Sequence, residues 1–129
     1  KLSFKNAPSG TYYIAVRHRN SIETWSKTGG QTFTYGTKSS FNFTTAASQA
    51  FGNNMKLTDT SPVRFSAFSG DLTQDGFVDL TDVTIVYNAA NLFSTGYIIS
   101  DLNGDYISDL SDIIICFNNS SAFVQKVTP

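Results

Sequence analysis

Two twelve-residue runs, thirty positions apart, constrain this chain more than anything else in it. The first is Asp71 to Asp82, Asp-Leu-Thr-Gln-Asp-Gly-Phe-Val-Asp-Leu-Thr-Asp, and the second is Asp101 to Asp112, Asp-Leu-Asn-Gly-Asp-Tyr-Ile-Ser-Asp-Leu-Ser-Asp. Both put oxygen-bearing side chains at positions 1, 3, 5, 9 and 12, the ligand spacing of a loop wrapped around one calcium ion. In the first run these are Asp71, Thr73, Asp75, Asp79 and Asp82, with the Phe77 carbonyl at position 7. In the second they are Asp101, Asn103, Asp105, Asp109 and Asp112, with the Ile107 carbonyl at position 7. A Ca²⁺ ion takes six to eight oxygens at roughly 2.3–2.6 Å, so the backbone must curl and aim alternate side chains inward. Gly76 at position 6 suits the sharp turn, where a positive φ is cheap for glycine; the second run has Tyr106 there.

The runs extend into a longer duplication. Residues 71–88 and 101–118 share eight of eighteen positions, a registration that two unrelated acidic surface turns would not show. Charge is segregated to match. Residues 1–70 hold eight Lys and Arg against Glu23 and Asp59, a net of +6, whereas residues 71–129 hold Lys126 against eight Asp, a net of −7. All eight of those Asp fall at loop positions 1, 5, 9 and 12. One pair of like charges at 4 Å costs about 4 kcal/mol at an effective dielectric near 20, so the ion-free C-terminal half is expected to fold poorly. Two Ca²⁺ would bring its charge from −7 to −3, and binding energy would then be folding energy.

The expected architecture is α+β: a small antiparallel β-sandwich-like module over residues 1–69, packed on a pair of calcium-loop–helix units over 70–129. The first part is rich in Thr, Ser, Phe and Tyr, with short alternating runs between turn residues. Candidate strands are Leu2 to Lys5, Thr11 to Arg19, Glu23 to Ser26, Gln31 to Tyr35, Ser40 to Thr44, Met55 to Leu57 and Val63 to Phe68, and Thr45 to Phe51 reads as either strand or helical turn. In Thr11 to Arg19 the alternation sets Tyr12, Ile14, Val16 and His18 on one face. A complete immunoglobulin-like sandwich needs about 100 residues. The module is therefore expected to be a compact variant, or to have its edge completed by another chain through strand addition. Nothing between Phe68 and Asp71 reads as a linker, so the halves are expected to pack as one rigid unit.

In the second half, Asp79 and Asp109 are placed to cap helices, with Asp82 and Asp112 three residues on and facing the ion. Leu80 to Ala90 carries Val83, Val86, Tyr87 and Ala90 at helical spacing, and Leu110 to Phe117 carries Ile113, Ile114, Cys116 and Phe117. Between them, Leu92, Phe93, Tyr97, Ile98 and Ile99 are expected to cover the core. Ala122 to Val127 alternates and is expected to add a strand to its own β module or to a neighbour's.

The paired loops, each followed by one helix with none leading in, resemble a dockerin repeat over residues 70–121. That resemblance implies two bound Ca²⁺ and docking onto a β-sandwich partner, the cohesin. The dockerin recognition pair at loop positions 10 and 11 maps onto Leu80 and Thr81, and onto Leu110 and Ser111; hydroxyls at position 11 match the family, and Leu at position 10 departs from it. Tyr12 to Ser26 is similar, more loosely, to a β module found beside dockerin-like repeats in long secreted bacterial surface proteins.

Composition disfavours other functions. Glu23 and Asp59 are the only carboxylates outside the two loops, and His18 is the single histidine with no nucleophile paired to it by motif, so no catalytic residue is assigned and the chain is read as a non-enzyme. One Cys and one His cannot close a zinc site. The basic charges of the first half are scattered over several strands, which reads as a solvated face and not a nucleic-acid surface. No run is long enough to span a bilayer. Cys116 has no partner for an intrachain disulfide and reads as a buried, inert thiol. No signal peptide is visible, and a mature secreted chain would read the same. Calcium loops of this kind suit an extracellular or cell-surface location. The chain is thus expected to be a non-catalytic calcium-binding assembly module that joins copies of itself into a filament or docks a cohesin-like chain. The alternative is a carbohydrate-binding β module, with Tyr12, Tyr13, Trp25 and Tyr35 as a platform for polysaccharide and the dockerin-like part as anchor to a larger secreted enzyme.

Overall fold

The structure, a computed structural model, describes residues 7–129; the strand expected at Leu2 to Lys5 lies outside the described residues. The chain is mixed α+β, with small antiparallel sheets and two helices. Strands β1 (Gly10–Tyr12) and β4 (Gln31–Phe33) pair with each other, as do β2 (Ala15–His18) with β3 (Ser21–Trp25) and β5 (Lys56–Thr60) with β6 (Val63–Ser66). Ser40 to Thr44 is not a strand; three short 3-10 turns, Phe43–Thr45, Ala47–Gln49 and Phe51–Asn53, fill that part of the chain.

Three separate two-stranded ribbons therefore stand where one sandwich-like module was expected. The cause lies at Tyr13 and Ile14, where the predicted nine-residue strand breaks. The Ile14 N–H donates to the Ser26 hydroxyl and its carbonyl accepts from the Ser26 N–H, each at 2.9 Å, so the chain changes partner from β4 to β3. A sandwich also needs a buried face on each strand. Here β2 and β5 are exposed along their whole length, and only β3 is buried, at Ser21, Ile22 and Thr24.

Ile22 carries β3 into the core, where it clusters with Leu72, Val78, Val86, Cys116 and Val124; Phe68, Val83, Ile85, Leu102 and Ile113 pack around them. This core therefore draws on both parts of the sequence. The segment expected to cover it does not do so: Leu92, Phe93 and Tyr97 are 78%, 85% and 74% exposed. A left-handed backbone at Phe93 ends the first helix and turns the side chain outward, and Leu102, from inside the second loop, packs partly buried against the core instead.

The helices are α1 (Leu80–Asn91) and α2 (Leu110–Ser121), and they pack against each other. Val86 and Cys116, thirty residues apart, are both fully buried. Each helix ends alike, with Phe93 or Phe123 in the left-handed region and the next amide reaching back five residues, Ser94 to Ala89 and Val124 to Asn119. After each turn the chain pairs with the other unit's loop. Ser94 O accepts from Ser108 N–H and Gly96 N–H donates to Tyr106 O; likewise Val124 O accepts from Val78 N–H and Lys126 N–H donates to Gly76 O. The duplication seen in sequence is thus a pseudo-twofold exchange in space. The tail extends further, and Val127 makes a parallel bridge to Thr24 of β3.

Candidate metal centre

Loop 1 (residues 71–82) and loop 2 (101–112) are built by the same local chemistry. Asp79 and Asp109 accept from the amides of Thr81 and Ser111 at 2.7 Å, and Asp82 and Asp112 accept back from the N–H of Asp79 and Asp109, completing a capping box at the start of each helix. Asp82 and Asp112 also pin the opposite end of their loops. Asp82 Oδ1 accepts from the amides of Leu72 and Thr73, and Asp112 Oδ1 from those of Leu102 and Asn103, with N···O distances of 2.7–3.1 Å. Position 12 therefore clasps positions 2, 3 and 9, which closes a ring of backbone around positions 1 to 9.

Inside that ring, Asp71 and Asp101 are 2% and 3% exposed, and Asp82 and Asp112 are fully buried. Asp71 Oδ2 accepts from Gly76 N–H, and Asp101 accepts from Gly104 N–H and Tyr106 N–H. Asp75 and Asp105 each turn onto the amide two residues ahead. Thr73, Asn103 and Asp105 lie at the exposed mouths, where the Asn103 amide nitrogen donates to Asp105 Oδ2 at 3.0 Å. Among the described residues no three His, Cys, Asp or Glu side chains stand close enough together to hold a metal as arranged. The acidic side chains face backbone N–H groups instead, as like charges do when they can separate.

The donor set nevertheless fits a hard cation. It consists of carboxylates, one hydroxyl or amide and one carbonyl per loop, all oxygen ligands. Asp71 Oδ1 is decisive: among the described residues it is the only buried side-chain nitrogen or oxygen without a hydrogen-bond partner. A buried, unpartnered carboxylate oxygen costs more than almost any other polar group. Burial pushes the Asp71 carboxyl above its usual range, and the charges of Asp82 and Asp75 push the same way, against the opposing pull of the Gly76 and Gln74 backbone. A divalent ion in the ring would satisfy that oxygen and cancel that repulsion.

Both loops need left-handed backbone at positions 4 and 6, and they meet the need with opposite choices. Loop 1 has Gln74 (φ 59°) and Gly76 (φ 95°); loop 2 has Gly104 (φ 86°) and Tyr106 (φ 70°). The absent glycine at Tyr106 leaves the trace of loop 2 like that of loop 1.

Comparison with known proteins leaves the geometry to speak for itself. No family model, no curated protein and no solved structure matches this chain.

The expected recognition positions lie at the surface. Leu80 and Leu110 are 69% and 66% exposed, and Thr81 and Ser111 beside them are exposed as well. On α2 the exposed face continues through Ile114 and Phe117, so Leu110, Ile114 and Phe117 form an apolar stripe at helical spacing. On α1 the same face has Leu80 and Tyr87 with Thr84 between. The aromatic residues of the β part are arranged differently. Tyr13 meets both Trp25 and Phe51 edge-on, at 66° and 80°, and Trp25 Nε1 donates to Glu23, which also pairs with Arg17. Tyr35 stands apart and exposed.

Sequence reasoning missed the β2–β3 turn as part of the site. Asn20 is buried; its side-chain amide donates to the carbonyls of Ile99 (3.0 Å) and Asp101 (2.7 Å), and its own carbonyl accepts from Gly70 N–H (2.7 Å). One residue thereby ties down the first residue of loop 2 and the residue before loop 1. Spacing holds no signal for this, because about eighty residues separate the partners in the chain.

Proposed function

We propose that this chain is a non-catalytic calcium-binding association module, in which residues 70–121 fold around two Ca²⁺ in the manner of a dockerin repeat and present their helices to another protein chain at the cell surface or outside the cell. The ligands are Asp71, Thr73, Asp75, Asp79, Asp82 and the Phe77 carbonyl in loop 1, with Asp101, Asn103, Asp105, Asp109, Asp112 and the Ile107 carbonyl in loop 2. The observation that carries the reading is the orphaned oxygen of Asp71, buried at position 1 of a duplicated oxygen-ligand ring. Leu80, Thr81, Leu110 and Ser111 form the contact surface, and the exposed Ile114 and Phe117 support an apolar partner there. The partner is a copy of this chain in a growing filament or a cohesin-like β-sandwich. Nothing in the edge-on packing of Tyr13, Trp25 and Phe51 favours a flat sugar platform over this reading.

Calorimetry and native mass measurement test it. The chain should bind two Ca²⁺, and Asp82→Ala and Asp112→Ala should each bind one. EDTA should abolish the helical circular dichroism of α1 and α2 and dissociate any assembly seen by electron microscopy, and Ca²⁺ should restore both. An assembly that survives chelation unchanged refutes the calcium-dependent association.

A further inference from the structure

Arg19, at the β2–β3 turn, reaches Ile98, 79 residues along the chain, and beyond it Asp101, the first residue of loop 2. Its Nε donates to the Ile98 carbonyl at 3.1 Å, its guanidinium lies 3.7 Å from the centre of the Tyr97 ring, and a terminal nitrogen is 3.8 Å from Asp101 Oδ2. The Arg19 side chain is 20% exposed and the Asp101 side chain 2%, so the pair is largely shielded from solvent. Loop 1 has no counterpart: among the described residues no cation bridges Asp71, and its Oδ1 is bare. Two loops of matching trace therefore differ at position 1, where among the described residues only loop 2 has a positive charge on its carboxylate; Lys126, the cation beside loop 1, lies against Gly76 at position 6 instead.

We propose that Arg19 is a built-in rival for the loop 2 ion, so that loop 1 fills first and loop 2 fills at higher Ca²⁺, when the ion takes Asp101 from Arg19. The inference rests on the two-calcium reading. A fixed positive charge beside a ligand carboxylate repels the incoming divalent ion and holds part of that carboxylate's field. Its place over Tyr97 and the bond to Ile98 hold the guanidinium independently of Asp101, so it remains poised when the ion leaves. Apart from the Asp101 carboxylate, the groups lining the cleft at Arg19 are uncharged side chains and His18, whose Nδ1 is engaged with Asn20 Oδ1 at 2.9 Å.

The test is calcium calorimetry on the full chain, with Tb³⁺ emission excited through Tyr97, beside loop 2, and Tyr106, within it, to assign the step. Wild type should show two steps, the weaker one belonging to loop 2. R19Q should tighten that step by about tenfold, the order expected from removing one partly screened charge near the ion, and leave the loop 1 step alone. R19K keeps the charge without the planar stack and should stay within about threefold of wild type, since charge is the operative property. A purely structural Arg19 would give the opposite sign, with R19Q weakening the loop 2 step; that result, or no change, overturns the proposal. So does an R19Q chain that fails to fold in Ca²⁺, because a rival is dispensable once the ion is bound. A wild type that binds no Ca²⁺ at all overturns the two-calcium reading itself and the proposal with it.

Discussion

Tyr106 holds a left-handed backbone that costs a side-chain-bearing residue about 1 kcal/mol or more. Tyr106→Gly should therefore raise the Ca²⁺-bound stability by roughly 0.5–1 kcal/mol in urea titration, the strain relieved less the entropy glycine brings to the unfolded chain. Gly70 is the opposite case. At φ 120° a Cβ there would lie 2.8 Å from Val78 Cγ1 and 3.4 Å from Cys116 Sγ, so Gly70→Ala should destabilise by about 2–4 kcal/mol. The need for a turn at Gly76 was legible from its position in the run. That Gln74 and Gly104 share the same conformation was not, because position 4 has no ligand to betray it. Asp71 gives a pH prediction. Its folded carboxyl holds a proton more tightly than the ordinary value of 3.8, so its contribution to the ion-free fold is complete below 3.8 and is lost as pH rises through the raised value. With Ca²⁺ bound the carboxylates must be charged, and the slope reverses. Thermal melts from pH 4 to 7 in EDTA and in Ca²⁺ should run in opposite directions.

The helices were legible because their signals are local: a capping Asp, a second Asp three residues on, and apolar residues at helical spacing. Even so, three of those eight apolar positions face outward, since Tyr87, Ile114 and Phe117 are 52%, 49% and 53% exposed. Periodicity finds a stripe but does not say whether the chain or a partner covers it. The strands were legible as runs and not as pairings. Nothing in the alternation of Thr11 to Arg19 announces that Ser26 interrupts it, because a side-chain hydroxyl bonding a backbone amide is a tertiary event. The tail was expected to add to its own β module or to a neighbour's; it does meet β3 of its own module, at Val127 alone, and gives its other bonds, through Val124 and Lys126, to loop 1. Val124→Asp would put an unpaired charge into the core beside Val78 and should cost about 3 kcal/mol or more by urea unfolding. Its effect on calcium should fall on loop 1, with loop 2 affinity kept.

At the scale of the whole molecule, the charge segregation read from sequence has a structural counterpart: Arg19 from the basic part meets Asp101 of the acidic part. Cys116 reports on the integrity of that arrangement. It is fully buried, and burial, with the charges of Asp82 and Asp79 behind it, pushes its thiol up to about 12. In Ca²⁺ it should resist alkylation at pH 8, and in EDTA it should react at the rate of an exposed cysteine; equal rates in both would mean that the core does not depend on the metal. Each loop is closed by a segment lying directly behind a helix, residues 94–96 for loop 2 and 124–126 for loop 1. A chain emerging from its N-terminus exposes the clasp of loop 2 before loop 2 itself, whereas loop 1 must wait for residues that arrive some forty positions later. During synthesis the loop written second would thus be ready to close as soon as α2 appears, and the loop written first would be sealed last.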